Sequence, residues 1–367
     1  MTLKVDIAAR FGDFELTAAF ESGGGLPALF GPSGSGKTSI MELVGGVRRP
    51  TQGRILLGDR VLVDTTRGIF LAPHRRRIGW VFQEGRLFPH LTGRQNLMYG
   101  QWFTPRRERH ESFDRVVDLL GLAHLLDRRP AGFSGGERSR VGIGRALLAS
   151  PRLLLMDEPL AALDDIRKSE ILPYIERLRD EMGVEILYVT HSISEVVRLA
   201  GRVVLLSHGQ VAASGPTAEV LASLDLAAAL GEGEAGAVVD AHIEAHDPAF
   251  GLTRLAARAG AIHVGALDLA VGTHVRLRIR ARDVLIATER PNSVSALNVF
   301  PGRIVKLATT SAASVDLAID CNGDILLASV TRRSAHDLAL EPGRPVYAIV
   351  KSVSFDRLGV GTSPNGR

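Results

Sequence analysis

Gly31-Pro32-Ser33-Gly34-Ser35-Gly36-Lys37-Thr38 follows the apolar residues 26–30 and opens the helical-looking residues 39–44. The order is strand, glycine-rich loop, helix, and the stretch matches the phosphate-loop pattern at every fixed position. The glycines let the backbone curl round a β-phosphate with its amides inward. Lys37 adds a point charge for the β and γ phosphates, Thr38 a hydroxyl for Mg²⁺, and the helix its positive end. A flexible glycine loop before an ordinary helix is the plainer alternative; the full pattern and its context weigh against it.

Working outward, Leu153-Leu154-Leu155-Met156 reads as a buried parallel strand. It delivers Asp157 and Glu158 at its carboxyl end, where open α/β sheets bind ligands. Asp157 suits Mg²⁺ held through water, and Glu158, pointing differently, suits polarising an attacking water. A strand ending in solvated acids before Pro159 is the rival for this segment alone. Phe133-Ser134-Gly135-Gly136-Glu137 opens a helix carrying Ile143, Ala146 and Leu147, and Ser134 with Glu137 forms a capping box. A well-capped helix accounts for the serine. Two glycines after a cap cost a helix about 1 kcal/mol each, so a close approach of backbone to a ligand is expected there.

The chain has 367 residues, enough for two or three domains, and its 45% hydrophobic and 23% charged residues exclude a disordered chain. With Lys+Arg 44 and Asp+Glu 40 the formal charge is +4, and no basic arm for nucleic acid stands out. Cys321 is the one cysteine, which excludes an internal disulfide and a Cys/His zinc cluster and fits a reducing compartment. Asp6, Arg10, Asp13 and Glu15 interrupt the first sixteen residues, so no export signal is expected. No apolar run approaches the roughly 18 residues of a membrane span.

Residues 1–230 alternate strands with helices, residues 231–240 read as a Gly/Glu linker after an alanine-rich helical stretch, and residues 241–367 read as short strands. In that last part Val275, Leu277, Ile279 and Ala281 alternate with Arg276, Arg278, Arg280 and Arg282, which predicts a half-buried strand with four arginines on one face. Further strands are expected near residues 299–307, 315–319, 325–330 and 345–353, with turns at Asn322-Gly323 and Glu341-Pro342-Gly343, giving a small β-barrel. Arg75-Arg76-Arg77 reads as a solvated face.

The phosphate loop, the Ser134-Gly135-Gly136 signature upstream of the acidic strand, and their order resemble the ATP-binding cassette family. The fold implied is an α/β phosphate-loop cassette, a mostly parallel sheet with a helical subdomain, followed by a small all-β, OB-like barrel. The resemblance implies ATP and Mg²⁺ as ligands and a homodimer in which Ser134, Gly135 and Gly136 complete the partner's ATP site. It matches the family's glutamine loop to Gln83, its aspartate loop to residues 161–164 ending in Asp164, and its switch histidine to His191. Glu158, His191 and Gln83 are then the catalytic group, with Thr38, Gln83 and Asp157 at the metal. Phe11 or Phe14 would stack on adenine, with Phe11 taken first. Phe133, Glu137 and Ala161 depart from the commonest family residues.

Residues 81–90, with Arg86, Leu87 and Phe88, resemble the importer subgroup and imply a groove for a membrane subunit. The whole chain resembles the ATPase subunit of molybdate importers. Residues 293–356 are similar to the small molybdate-binding barrel of those subunits, which implies Ser295, Asn298, Lys351 and Ser352 as donors to molybdate or tungstate. Each of the four is as readily turn chemistry or an exposed strand residue. The resemblance implies two membrane-spanning permease subunits, an extracytoplasmic oxyanion-binding protein, and a peripheral place on the cytoplasmic face of the membrane. A sulfate, sugar or other importer ATPase shares the cassette. A soluble cassette acting on nucleic acid is a further alternative, favoured only by the four arginines.

Overall fold

Pro27, Ala28, Leu29 and Phe30 are all buried, as in a strand covered on both faces. The computed structural model describes residues 2–23, 25–224, 235–309, 313–352, 355 and 360–362. It divides into two compact units, residues 1–191 with 201–214, and residues 192–200 with 215–367.

The first unit holds β1 (Leu3–Phe11), β2 (Phe14–Glu21), β3 (Pro27–Phe30), β4 (Gln52–Leu57), β5 (Arg60–Asp64), β6 (Ile69–Phe70), β7 (Ile78–Val81), β8 (Leu153–Asp157), β9 (Glu185–Thr190), β10 (Arg202–Ser207) and β11 (Gln210–Pro216). They form one sheet in the order β6-β5-β4-β1-β2-β11-β10-β3-β9-β8-β7. The β10-β3-β9-β8-β7 half is parallel. The β6-β5-β4-β1-β2 half is antiparallel, so the sheet is mixed. Helices α1 (Lys37–Gly45), α2 (Pro73–Arg76), α3 (Gly93–Trp102), α4 (Phe113–Leu119), α5 (Gly135–Leu148) and α6 (Asp165–Glu181) belong to this unit. Ile40, Met41, Leu43 and Val44 of α1 are buried with Leu153, Leu155, Leu187 and Val189 of the parallel strands.

The arginine triplet departs from its expected solvated face. Arg75 is exposed, but Arg76 is fully buried. Its Nη1 donates to the carbonyls of Leu43 and Val44 and its Nε to that of Leu71, closing the C-terminal end of α1. Burial lowers its guanidinium to about 10. Arg77 reaches Glu108 at 2.6 Å and the Ser150 carbonyl at 2.9 Å. Charge runs hide such roles because three adjacent side chains leave the backbone in different directions.

The second unit contains α7 (Ile193–Leu199), α8 (Thr217–Leu221), α9 (Arg332–Asp337) and two five-stranded antiparallel sheets. The first has the order β14-β13-β12-β15-β21, from β12 (Gly236–Asp247), β13 (Leu252–Ala257), β14 (Gly260–Gly265), β15 (His274–Arg280) and β21 (Val360–Thr362). The second has the order β16-β20-β17-β18-β19, from β16 (Val284–Ala287), β17 (Asn298–Thr309), β18 (Ser314–Cys321), β19 (Asp324–Thr331) and β20 (Pro345–Val350). The two share one core that includes Val239, Leu277, Phe300, Leu317 and Val346. Asn322 and Gly323, both at positive φ, close the β18–β19 hairpin, as a two-residue turn of this composition requires. Cys321 is buried, and burial pushes its thiol up to about 12, an inert core position.

β12 starts inside the stretch expected as linker, and residues 225–234 lie outside the described residues. The arginine stripe is corrected. β15 stops at Arg280, and Arg282 sits in a 3-10 turn. Arg276 and Arg278 are 2% and 6% exposed, so they present no basic face to a nucleic acid.

Arg76→Ala should lower the stability of the cassette by about 2–4 kcal/mol, because two buried carbonyls and one half-buried one lose a charged donor. Equilibrium urea unfolding of the full chain would show the loss in its earliest transition; an unchanged midpoint would contradict this role for Arg76.

Candidate functional site

β3 ends at Phe30, and the chain turns through residues 31–36 into α1. A Cβ on Gly31 would lie 2.2 Å from the Leu206 carbonyl oxygen. Gly36, at φ 104°, is the N-cap of α1 and has no side chain to cap it. The first-turn amides therefore lack the side-chain acceptor that most helices carry, as an anion site requires. Lys37 is 5% exposed. Its ammonium donates to the carbonyls of Gly31 at 2.7 Å and Pro32 at 2.9 Å and lies 4.0 Å from Glu158 Oε1. Ser35 Oγ is buried with no hydrogen-bond partner among the described residues, an orphaned polar atom inside the loop.

β8 brings the acids to this loop through its pairing with β9, Met156 beside Tyr188 and Asp157 beside Val189. Glu158 then adopts φ 46°, a strained conformation for a residue with a Cβ. Its amide donates to the Val189 carbonyl at 3.0 Å, and its Oε2 lies 3.0 Å from His191 Nδ1. Glu158 thus sits between Lys37 and His191, one carboxylate oxygen toward each. Burial lowers the Lys37 ammonium, against the raising effect of Glu158 and Asp157. Burial and then the Glu158 charge push Asp157 up to about 6.

Phe14, Ser33, Gly34, Gly36, Lys37, Thr38, Ser39 and Glu158 line a cleft of about 280 Å³. A second cleft of about 670 Å³ shares Phe14, Ser33 and Gly34 and adds Asp13, Glu15, Pro32, Ser35, His208 and Gln210. Phe14 lines both. Phe11 lines neither, and its ring carries the Arg48 guanidinium at 4.8 Å. The expected choice of Phe11 over Phe14 thus gains no support. His208 and Gln210 flank Gly209 in the β10–β11 turn, far in sequence from any motif. Sequence reasoning missed them; His208 and Gly209 both take positive φ in that turn, and a Cβ on Gly209 would lie 2.1 Å from the Glu15 carbonyl oxygen.

Gln83 lies elsewhere. It is exposed and lines a third cleft, about 480 Å³, with Arg86, Leu87, Gly135, Arg138, Leu163 and other residues. Phe88 packs on Tyr99 at 4.2 Å. Ser134 caps α5, its hydroxyl accepting from the Glu137 amide while Glu137 Oε2 accepts from the Ser134 amide at 2.7 Å. That backbone bond, ahead of the His124 contact, holds the Glu137 carboxyl below its usual range. A Cβ on Gly135 would meet Leu163 Cδ2 at 2.9 Å, and one on Gly136 would meet Ile171 Cδ1 at 3.1 Å. The two glycines admit these apolar side chains, a role beyond the approach of a ligand. Asp164 caps α6 through the Arg167 amide. Within one chain none of Gln83, Ser134, Gly135, Gly136 and Asp164 lines either of the first two clefts.

The ABC transporter family matches residues 20–161, and the TOBE domain matches residues 294–355. The molybdenum import ATP-binding protein ModC of Mesorhizobium japonicum is 56% identical over 98% of this chain and 98% of its own length. This chain belongs to the ABC transporter family. The ModC protein of Rhodospirillum rubrum is 50% identical over 97% of both chains. Among solved structures, CbiO1 of Clostridium perfringens, part of an ABC transporter complex, has a TM-score of 0.51 and 27% identity over 61% of this chain and 92% of its own. No helix among the described residues is long and apolar enough to cross a membrane.

As an ABC family member, the chain offers Mg²⁺ hard oxygen donors at Thr38 and Asp157, a donor set that fits the ion. In the TOBE region Asn298 is fully buried. Its Oδ1 accepts from the His263 amide at 2.6 Å, and its Nδ2 donates to the His263 carbonyl at 3.0 Å and lies 3.4 Å from Ser352 Oγ. Asn298 is a clamp on β14. Ser295 and Lys351 are exposed.

Asp157 takes up a proton more readily folded than unfolded, so between about pH 4 and about pH 6 the folded state binds more protons. Its buried charge costs stability above that window and is relieved as the pH falls through it. In EDTA, Asp157→Asn should therefore raise the melting temperature at about pH 8 and lose that advantage below about pH 4. Thermal melts across this range check the sign; an advantage that grew in acid would reverse it.

Proposed function

We propose that this chain is the ATP-hydrolysing subunit of a molybdate importer, working as a homodimer on the cytoplasmic face of the cell membrane against two membrane-spanning permease subunits. An extracytoplasmic oxyanion-binding protein would deliver the cargo. The observation that carries the ATPase reading is the placement of Lys37 and Glu158 in one cleft before an uncapped helix N-terminus, with His191 against the Glu158 carboxylate. Molybdate is supported by the names of the relatives, which span the whole chain.

The residues divide the work. The α1 amides and Lys37 hold the β and γ phosphates of ATP. Glu158 Oε accepts the proton of the attacking water, His191 orients that carboxylate through Nδ1, and its other ring nitrogen, Nε2, serves the γ-phosphate. General-base help of this kind is worth about 10²- to 10⁴-fold. The strained backbone at Glu158 fixes where its carboxylate points, which a water-activating group needs more than it needs strength. Thr38 and Asp157 would hold Mg²⁺, which would supply positive charge against that of the phosphates. Phe14, on the wall of both clefts, stacks on the base. Ser134, Gly135, Gly136 and Asp164 act on the partner's nucleotide in the closed homodimer, and Gln83 with Arg86 and Leu87 meets the permease.

Glu158→Gln should retain ATP binding, lower turnover by at least about 10²-fold and trap a closed dimer. Phosphate release and size-exclusion chromatography with ATP read both effects; near-normal turnover would sink the assignment of the base. Reconstitution with its permease should give ATP-dependent uptake of molybdate over sulfate, and a preference for sulfate would move the chain to another importer class.

A further inference from the structure

Two histidines stand side by side in the first sheet of the second unit, His242 on β12 and His274 on β15. They are register partners, with ring centres 6.0 Å apart and planes tilted by 51°. Ile243, next along β12, donates its amide to the Thr273 carbonyl at 3.0 Å, and its own carbonyl accepts from the Gly272 amide at 2.8 Å. The histidine pair therefore lies between ladder bonds, where opposed side chains of an antiparallel pair come closest. Both histidines are exposed, while Ala241, Ile243 and Val275 beside them in sequence are buried and fix the two strands.

Neither ring hydrogen-bonds another described residue. His246, on the same strand, is the contrasting case: its Nδ1 lies 3.0 Å from Thr253 Oγ1 and its Nε2 2.9 Å from the Leu269 carbonyl oxygen, so both nitrogens serve the fold. The carboxylates flanking the pair are engaged as well, Asp240 with Arg276 at 3.1 Å and Glu244 with Arg254 at 3.0 Å. What stands open at this place is a pair of imidazoles. Two imidazole nitrogens each about 2.0–2.1 Å from one ion put their ring centres roughly 5–6 Å apart, so small side-chain rotations close this pair on an ion. The paired strands hold the second ring near the first, an effective concentration that an isolated surface histidine lacks.

We propose that His242 and His274 form a binding site for one divalent ion of the class that favours imidazole, Cu²⁺, Ni²⁺ or Zn²⁺. Among the described residues no third His, Cys, Asp or Glu joins them, so water completes the coordination shell. The ion clips β12 to β15 at one end of their ladder and joins two segments distant in sequence. It is a different site from the one proposed for Mg²⁺ at Thr38 and Asp157, where the donors are hard oxygens, and it is independent of the ATPase reading.

The test uses the full chain without a histidine tag, stripped with EDTA and titrated by calorimetry with Zn²⁺, with Mg²⁺ in excess so that oxygen-donor sites are filled. The tightest Zn²⁺ site should weaken at least about tenfold in His242→Ala and in His274→Ala, each of which removes half of the protein ligands. It should be unchanged in His336→Ala, which removes an exposed histidine outside the pair. Carbethoxylation of the wild-type chain, read by peptide mass spectrometry, gives a second measure that needs no variant to fold. Zn²⁺ should protect His242 and His274 and leave His336 reactive. Undiminished affinity in either variant of the pair, or both histidines still reactive under saturating Zn²⁺, would overturn the proposal and leave the ATPase reading untouched.

Discussion

A lysine ammonium with almost no access to water governs the first unit. Burial disfavours the charge on Lys37, so it is sustained by what surrounds it, two loop carbonyls and the carboxylates of Asp157 and Glu158. The carbonyls of Gly31 and Pro32 can reach it only because the loop folds back over its own lysine, and the crowding of Gly31 against Leu206 is part of that fold. The acids reach it only because β3, β9 and β8 are successive parallel strands ending at the same edge. The phosphates proposed to enter this loop would meet a positive charge already held there.

The same sheet explains why two adjacent acids differ. Asp157 is the last residue of β8 and stays partly inside, where burial lifts its pKa. Glu158 has left the strand through an unfavourable φ and reaches the histidine. The ligand-holding and the water-activating roles proposed for them follow from a single backbone turn, with no difference in side-chain chemistry beyond one methylene.

Much of this was legible because some signals are local. The phosphate loop, the Ser134 capping box, the Asn322-Gly323 hairpin and the acidic end of the Leu153-Leu154-Leu155-Met156 strand each depend on a few consecutive residues, and each stands where the pattern puts it. The misreadings involve residues whose partners are distant in sequence. Arg76 looks like part of a solvated run until Leu43 and Val44 are brought beside it. Arg276 and Arg278 look like a basic stripe until Asp240 and Ala200 close over one of them and both are buried. Asn298 reads equally as an oxyanion donor or as turn chemistry, and its clamp on His263 cannot be seen from its neighbours in sequence. Period-two patterning fixes which way a side chain points, but what it meets there belongs to the topology.

Glu137 holds one further consequence. Its carboxylate already occupies the Ser134 amide and touches His124 at 3.2 Å, so the start of α5 carries an internal counter-anion. A glutamine in that place would cap with the same geometry and no charge. A phosphate brought to Ser134, as proposed for the closed homodimer, would therefore meet a helix end whose positive field is partly spent on its own side chain, and would be the second anion at that site.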